Sequence, residues 1–169
     1  CLKNFPVDKL SNATLLIKGA RAFRLEKIAR RLERKIHGTV MEIDLNAIAH
    51  NLNIFRSQLK PETKIMAMVK AFAYGSGSNE VASVLQFHTV DYLGVAYADE
   101  GKWLRSKGIH LPIMVMNPSA ESLSTIIDFD LEPSVFSFSI IQSLIHHIKG
   151  KKLSVHIKLD TGMHRLGFE

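Results

Sequence analysis

The sequence predicts an α/β chain built on a parallel sheet, and three observations carry that reading. From residue 60 onward, short apolar runs alternate with amphipathic helical stretches, at roughly 20–30 residues per strand–helix unit. No G-x-G-x-x-G turn opens the series, which argues against a doubly wound dinucleotide fold. Two of the runs pass into lysine-bearing ends followed by glycine-containing loops, the place where β/α barrels carry their chemistry. The predicted architecture is therefore the N-terminal part of a TIM (β/α)8 barrel, with about five of its strands present and a short strand–helix tail before it.

The tail comes first. Residues 14–18 form an apolar run closed by Gly19 and read as a buried strand. Leu25, Ile28, Leu32 and Ile36 recur at helical spacing, and Glu26 and Arg30 sit four apart, so residues 23–36 read as a helix. His37-Gly38 ends it, since glycine accepts the left-handed cap. This sets the expected division at residues 1–38 and 39–169.

The barrel region follows. Residues 40–44 alternate like a strand, and Asp44 is placed to cap a helix carrying Leu45, Ile48, Leu52, Phe55 and Leu59 on one face. Further strands are expected over 64–70, 92–96, 113–116, 131–135 and 153–159, with helices over 79–88, 99–107, 120–129 and 138–149. Met66, Met68, Met114 and Met116 fall at strand spacing and read as barrel interior. Asp99 and Glu100 open a helix, where negative charge suits the dipole, and are not taken as acid and base.

Composition bounds the function. Hydrophobic residues make up 46% and charged residues 22% of the 169, ordinary for a globular chain. The net charge of +6 traces to Lys18, Arg21, Arg24, Lys27, Arg30, Arg31, Arg34 and Lys35. Aromatic stacking residues are not interleaved there, so the stretch reads as a solvated helix face and no nucleic-acid partner is expected. No apolar run approaches the ~18 residues of a membrane span. The single Cys1 excludes an internal disulfide and fits the cytoplasm. Adjacent His146 and His147 lack metal-ligand spacing, and no metal is expected. Both ends of the chain look cut, so a fragment is expected.

Two segments carry chemistry. In Met68-Val69-Lys70-Ala71-Phe72-Ala73-Tyr74-Gly75-Ser76-Gly77, Lys70 is expected to end a strand at the barrel mouth. Partial desolvation there favours the nucleophilic amine that condensation with an aldehyde cofactor needs. Tyr74 offers a hydroxyl to the same mouth. In the second segment, Leu153, Val155, Ile157 and Leu159 alternate with Ser154, His156 and Lys158. The apolar face is expected against helices, with Lys158 pointing into the lumen. Arg165 follows a glycine-bearing turn and suits a carboxylate or a phenolic oxygen; the plainer reading is an Asp160–Arg165 brace across the loop.

Residues 69–77 resemble the cofactor-lysine signature of alanine racemases, and residues 158–167 resemble their arginine loop; Glu42-Ile43-Asp44-Leu45 fits the same family. The resemblance covers residues 39–169 and implies a pyridoxal 5'-phosphate enzyme that interconverts L-alanine and D-alanine for peptidoglycan precursors, working as a homodimer. It implies that Lys70 holds the cofactor and serves as one base, and that Tyr74 contacts the phosphate. By the same resemblance, Lys158 is a candidate carbamyl-lysine that positions Arg165 toward cofactor and substrate. Phe72 stands where the family commonly has Asn, and His164 where Gly is frequent. The opposing base, a tyrosine of the partner subunit, and the pyridine-nitrogen partner are expected outside this chain, so residues 1–169 alone are expected to be inactive. Leu15-Leu16-Ile17-Lys18-Gly19-Ala20-Arg21 resembles the end of the ATP-dependent ligase that adds D-alanyl-D-alanine to the cell-wall precursor, as in ligase–racemase fusions. Two alternatives stand beside this reading: a related barrel that only binds and buffers pyridoxal phosphate, and a non-catalytic linker within a fusion.

Overall fold

A computed structural model describes residues 41–169. Asp44 opens the first described element as a helix cap: its Oδ1 accepts the amides of Asn46 at 2.8 Å and Ala47 at 3.2 Å. Helix α1 (Leu45–Ser57) follows. Leu52 is its one buried residue, whereas Phe55 and Leu59 are exposed, so the apolar face is narrower than its spacing predicts.

Four strand–helix units and a last strand come next: β1 (Met66–Met68), α2 (Ser78–Phe87), β2 (Tyr92–Val95), α3 (Ala98–Ser106), β3 (Ile113–Val115), α4 (Leu123–Asp128), β4 (Glu132–Val135), α5 (Phe138–Ile148) and β5 (His156–Ile157). All neighbours are parallel and the order is β1-β2-β3-β4-β5. A doubly wound sheet reverses its strand order at a switch point, and this one never does. The sequential order with a helix in each crossover is that of a β/α barrel wall.

Register separates the two faces. Leu93 pairs with Ile113 and Val95 with Val115, and all four are fully buried. They join Ala82, Leu85, Leu104, Leu123, Ile126 and Leu131 in the core between sheet and helices. Each such Leu, Ile or Val side chain stabilises the fold by about 1.5–3 kcal/mol. The opposite face carries Met66, Met68, Tyr92, Gly94, Met114, Glu132, Ser134 and His156, the lumen side. A Cβ at Gly94 would meet the Met68 sulfur, so the methionines lie on that side as the sequence predicts. His156 Nε2 bonds Glu132 Oε2 at 2.7 Å and stacks edge-on to Tyr92. The negative Glu132 carboxylate, then burial, raise the Tyr92 phenol above its usual value.

Several expectations are corrected. Residues 41–44 form no strand, because no neighbour among the described residues pairs their backbone groups. The helix expected over 120–129 begins as a 3-10 turn (Ala120–Ser122), where the Ser122 hydroxyl bonds Ser119 backbone at both its nitrogen and its oxygen. β5 is only two residues long, although Lys158 N still donates to Val135 O at 2.8 Å. Its apolar residues do face away from His156, and Val155 and Ile157 share a cavity with Ile141, Leu144, Ile145 and Ile148 of α5, but Val155, Ile157 and Leu159 stay exposed rather than buried against helices. The tail strand and helix, the basic stretch and the boundary at residue 38 lie outside the described residues. No helix among the described residues is long and apolar enough to cross a membrane.

Candidate functional site

Strand β1 gives out at Met68, two residues earlier than its sequence suggests. Val69 makes the last bond to its neighbour, donating to Gly94 O at 2.9 Å. From Ala71 to Tyr74 the backbone is left-handed, with φ of 51°, 54°, 52° and 57°. Lys70–Tyr74 is thus a left-handed helical turn, closed by Gly75 at φ 89°. Gly75 N donates to Ala71 O and Phe72 O, Ser76 N to Ala73 O, and Gly77 N to Phe72 O, each at 3.1 Å. A left-handed L-residue costs about 1–2 kcal/mol, so four in succession are a large local strain of the kind found at functional sites.

The strain has identifiable compensation. Ala73 is buried, at 7% exposure, and its amide donates to Val69 O at 3.0 Å. Phe72 sets its ring edge-on to Trp103, 6.4 Å between centroids. The carboxylate of Glu100 accepts the Ala71 amide at 2.6 Å. The same carboxylate accepts Ala96 N at 2.7 Å and Tyr97 N at 3.1 Å. Sequence reasoning missed this role, because the position of Glu100 in the first turn of α3 already accounts for its charge.

Lys70 is half-buried and shares the lumen parity of Met66 and Met68. Its Nζ lies 6.0 Å from the centroid of the Tyr74 ring. Among the described residues it has no hydrogen-bond or ion-pair partner. A half-buried primary amine with no carboxylate to neutralise it, at the C-terminal edge of a parallel sheet, fits an aldehyde cofactor that condenses with lysine. Tyr74 is 66% exposed beside it. The cavity of about 340 Å³ next to Phe72 lies toward Trp103 and Leu104 and does not include Lys70.

The second segment is built around Asp160. Its Oδ1 accepts the amides of Gly162 and His164, both at 3.0 Å. These backbone bonds hold the Asp160 carboxyl below its usual range. The loop is therefore braced by the aspartate and main chain, not by an Asp160–Arg165 side-chain pair: no hydrogen bond or ion pair joins those two side chains among the described residues. Asp160 N also donates to Phe168 O at 2.8 Å, and Phe168 N to Lys158 O at 2.9 Å, pinning both ends of the loop. His164 sits at φ 53°, a left-handed position that suits glycine. Lys158 is half-buried with the parity of His156, hence on the lumen side, and Arg165 is exposed. Lys70 and Tyr74 are brought together; no hydrogen bond, ion pair or ring contact joins Lys158 or Arg165 to them among the described residues.

Comparison with known proteins identifies the family. The family described as alanine racemase, N-terminal domain, matches residues 43–169. An alanine racemase of Methanococcus maripaludis is 40% identical over 135 residues, covering 78% of this chain and 36% of that protein. One from Synechocystis is 42% identical over 132 residues, covering 75% and 35%. The chain thus spans about a third of the length of these curated relatives. The solved alanine racemase of Clostridium difficile superposes with a TM-score of 0.73 at 36% identity, covering 78% of this chain and 37% of that one. A parallel sheet in sequential order, with the match running through both lysine-bearing segments, places this chain in the alanine racemase N-terminal domain family.

Proposed function

We propose that the full-length protein is a pyridoxal 5'-phosphate-dependent racemase that interconverts L-alanine and D-alanine, with Lys70 as the cofactor lysine. The observation that carries this reading is the Lys70 amine at the edge of β1, without a hydrogen-bond or ion-pair partner among the described residues and held by a strained turn inside the family match. Bound pyridoxal phosphate supplies the electron sink that makes an amino acid's α-proton removable. The chain's own residues do the rest. The Lys70 amine takes up and returns the proton on one face of the substrate. Tyr74 presents its hydroxyl to the cofactor phosphate. Arg165 supplies a planar fork for the substrate carboxylate, and a carbamate on Lys158 holds that fork in place.

A racemase needs a second proton donor opposite Lys70, and we assign it to a tyrosine of a partner subunit in a homodimer. No nucleic acid or membrane enters the reaction, and the lone Cys1 keeps the cytoplasm as the expected compartment. Residues 1–38 precede the family match, and we read them as a ligase tail on the strength of residues 15–21. ATP-dependent ligation of D-alanyl-D-alanine by the full-length protein tests that part. For the racemase, the test is D-alanine formation from L-alanine in a coupled assay. Activity in the natural full-length protein that disappears in Lys70→Ala supports the reading; full activity in that variant removes Lys70 from the chemistry.

A further inference from the structure

We propose that Glu100 is the positioning residue for Lys70, the side chain that fixes where the β1 chain leaves the sheet and so where the lysine amine is presented. The inference rests on the reading of Lys70 given above, and its starting point is a break in the ladder. Val69 N donates to Gly94 O, the last β1–β2 bond of its kind. In a parallel pair the next such bond would run from Ala71 N to Ala96 O. It is not made. Ala71 has turned left-handed, and Ala96 O instead accepts Asn117 N at 3.0 Å. The Glu100 carboxylate fills the gap from α3, taking Ala71 N on one oxygen and Ala96 N and Tyr97 N on the other.

Three amide donors on one ionised carboxylate form a charge-assisted clamp of good length. The amide of Ala71 belongs to the peptide that starts at the Lys70 carbonyl, so the clamp grips the main chain two bonds beyond the Lys70 Cα. Upstream, Val69 is fully buried and hydrogen-bonded. Lys70 is therefore held on both sides while its amine has no hydrogen-bond or ion-pair partner among the described residues. Nothing else that is polar and belongs to a side chain touches the Ala71–Tyr74 backbone among the described residues. Without Glu100, Ala71 N loses its only partner among the described residues, and the left-handed turn keeps the Phe72–Trp103 ring contact but loses its hydrogen-bonded tie to α3.

A built-in control sits at the other end of the same strand. Asp91 Oδ2 accepts Ile65 N at 2.8 Å, a carboxylate-to-amide clamp where β1 begins, remote from Lys70. Loss of either clamp affects the stability of β1, but only loss of the Glu100 clamp should reach the lysine.

The test uses the natural full-length protein and three variants: Glu100→Gln, Glu100→Asp and Asp91→Asn. Two quantities are read: hydrogen exchange at the Ala71 amide in the cofactor-free protein, and the dissociation constant for pyridoxal 5'-phosphate. In Glu100→Gln, Ala71 exchange accelerates and cofactor affinity weakens, each by about tenfold, the order expected for one lost hydrogen bond to a charged group. Glu100→Asp is one methylene shorter, so it keeps the helix cap and fold but cannot reach Ala71. It gives the same two changes while Ala96 and Tyr97 stay protected, and it serves if Glu100→Gln does not fold. Asp91→Asn changes neither quantity. The proposal is overturned if the Glu100 variants exchange Ala71 no faster than Asp91→Asn, or if Ala71 is freed with cofactor affinity unchanged. If the unsubstituted protein binds no pyridoxal phosphate, the racemase reading itself fails; if it binds and the Glu100 variants bind equally well, only the positioning role fails.

Discussion

Ala71→Gly should stabilise the turn after Lys70, the opposite of what alanine-to-glycine does in an ordinary helix. Ala71 lies at φ 51°, ψ 51° and is exposed, so its methyl contributes little packing. A left-handed alanine costs about 1–2 kcal/mol. Glycine removes that cost but adds about 0.5–1 kcal/mol through the freedom it gains in the unfolded chain. The net gain is about 0.5–1 kcal/mol for local opening of the turn, a roughly 2–5-fold slowing of exchange. The amides to follow are Gly75, Ser76 and Gly77, which donate to the carbonyls of Ala71, Phe72 and Ala73. Ala73→Gly is the internal comparison: Ala73 is buried, and losing its methyl costs about 0.8 kcal/mol, which roughly cancels the backbone gain. Amide hydrogen exchange by mass spectrometry or NMR reads both. If Ala71→Gly instead speeds exchange about fivefold, as the ~1 kcal/mol penalty in a right-handed helix requires, the left-handed geometry is wrong.

Three further outcomes follow from the same structure. Arg105 donates to the carbonyls of Phe129, Ile109, Leu111 and Asp130 at 2.8–3.1 Å, tying α3 to the turns before β3 and β4; Arg105→Ala should cost about 2–4 kcal/mol by thermal or urea denaturation, and a loss under 1 kcal/mol would show the carbonyls find other donors. Gly167 lies at φ 149°, and a Cβ there would collide with the backbone nitrogen of Asp160; Gly167→Ala should break the Asp160–Phe168 pairing at a cost of about 2 kcal/mol or more, visible as lost protection of the Asp160 and Phe168 amides. The depressed carboxyl of Asp160 gives the loop a pH dependence: its stabilisation is complete above the ordinary carboxylate value of about 4 and is lost as pH falls through the lower folded value. Protection of the Gly162 and His164 amides should therefore persist to below pH 4, and loss of protection already near pH 5 would contradict the bonding described.

Local signals were the readable ones. Asp44 caps α1 as its place before an apolar-periodic run suggests, because an N-cap needs only its own next three residues. The alternation of strands and helices was legible because buried parallel strands read as short apolar runs, and Leu93 and Ile113 sit on the helix-facing side of such runs. The left-handed turn was not legible. Ala-Phe-Ala-Tyr has no residue that prefers positive φ, and only Gly75 and Gly77 hinted at it. Phe72 at φ 54° occupies a region that Asn tolerates better than a bulky aromatic residue, so nothing at this position announced the turn. The Glu100 clamp was hidden for a different reason: one of its partners, Ala71, is 29 residues away, and only the folded β1–β2 pair brings them together. The strand expected at 40–44 has the right alternation, but alternation supplies no partner, and pairing decides whether a strand exists. Arg165 was singled out for its chemistry, while the residue that shapes its loop is Asp160.

The central claim is that Lys70 is the lysine that takes the cofactor, and one measurement addresses it directly. The natural full-length protein is loaded with pyridoxal 5'-phosphate, reduced with borohydride, digested, and mapped by mass spectrometry. The account predicts a phosphopyridoxyl group on the peptide containing Lys70 and none on the peptide containing Lys158. A label at another lysine, or no label on a protein that racemises alanine, would contradict it.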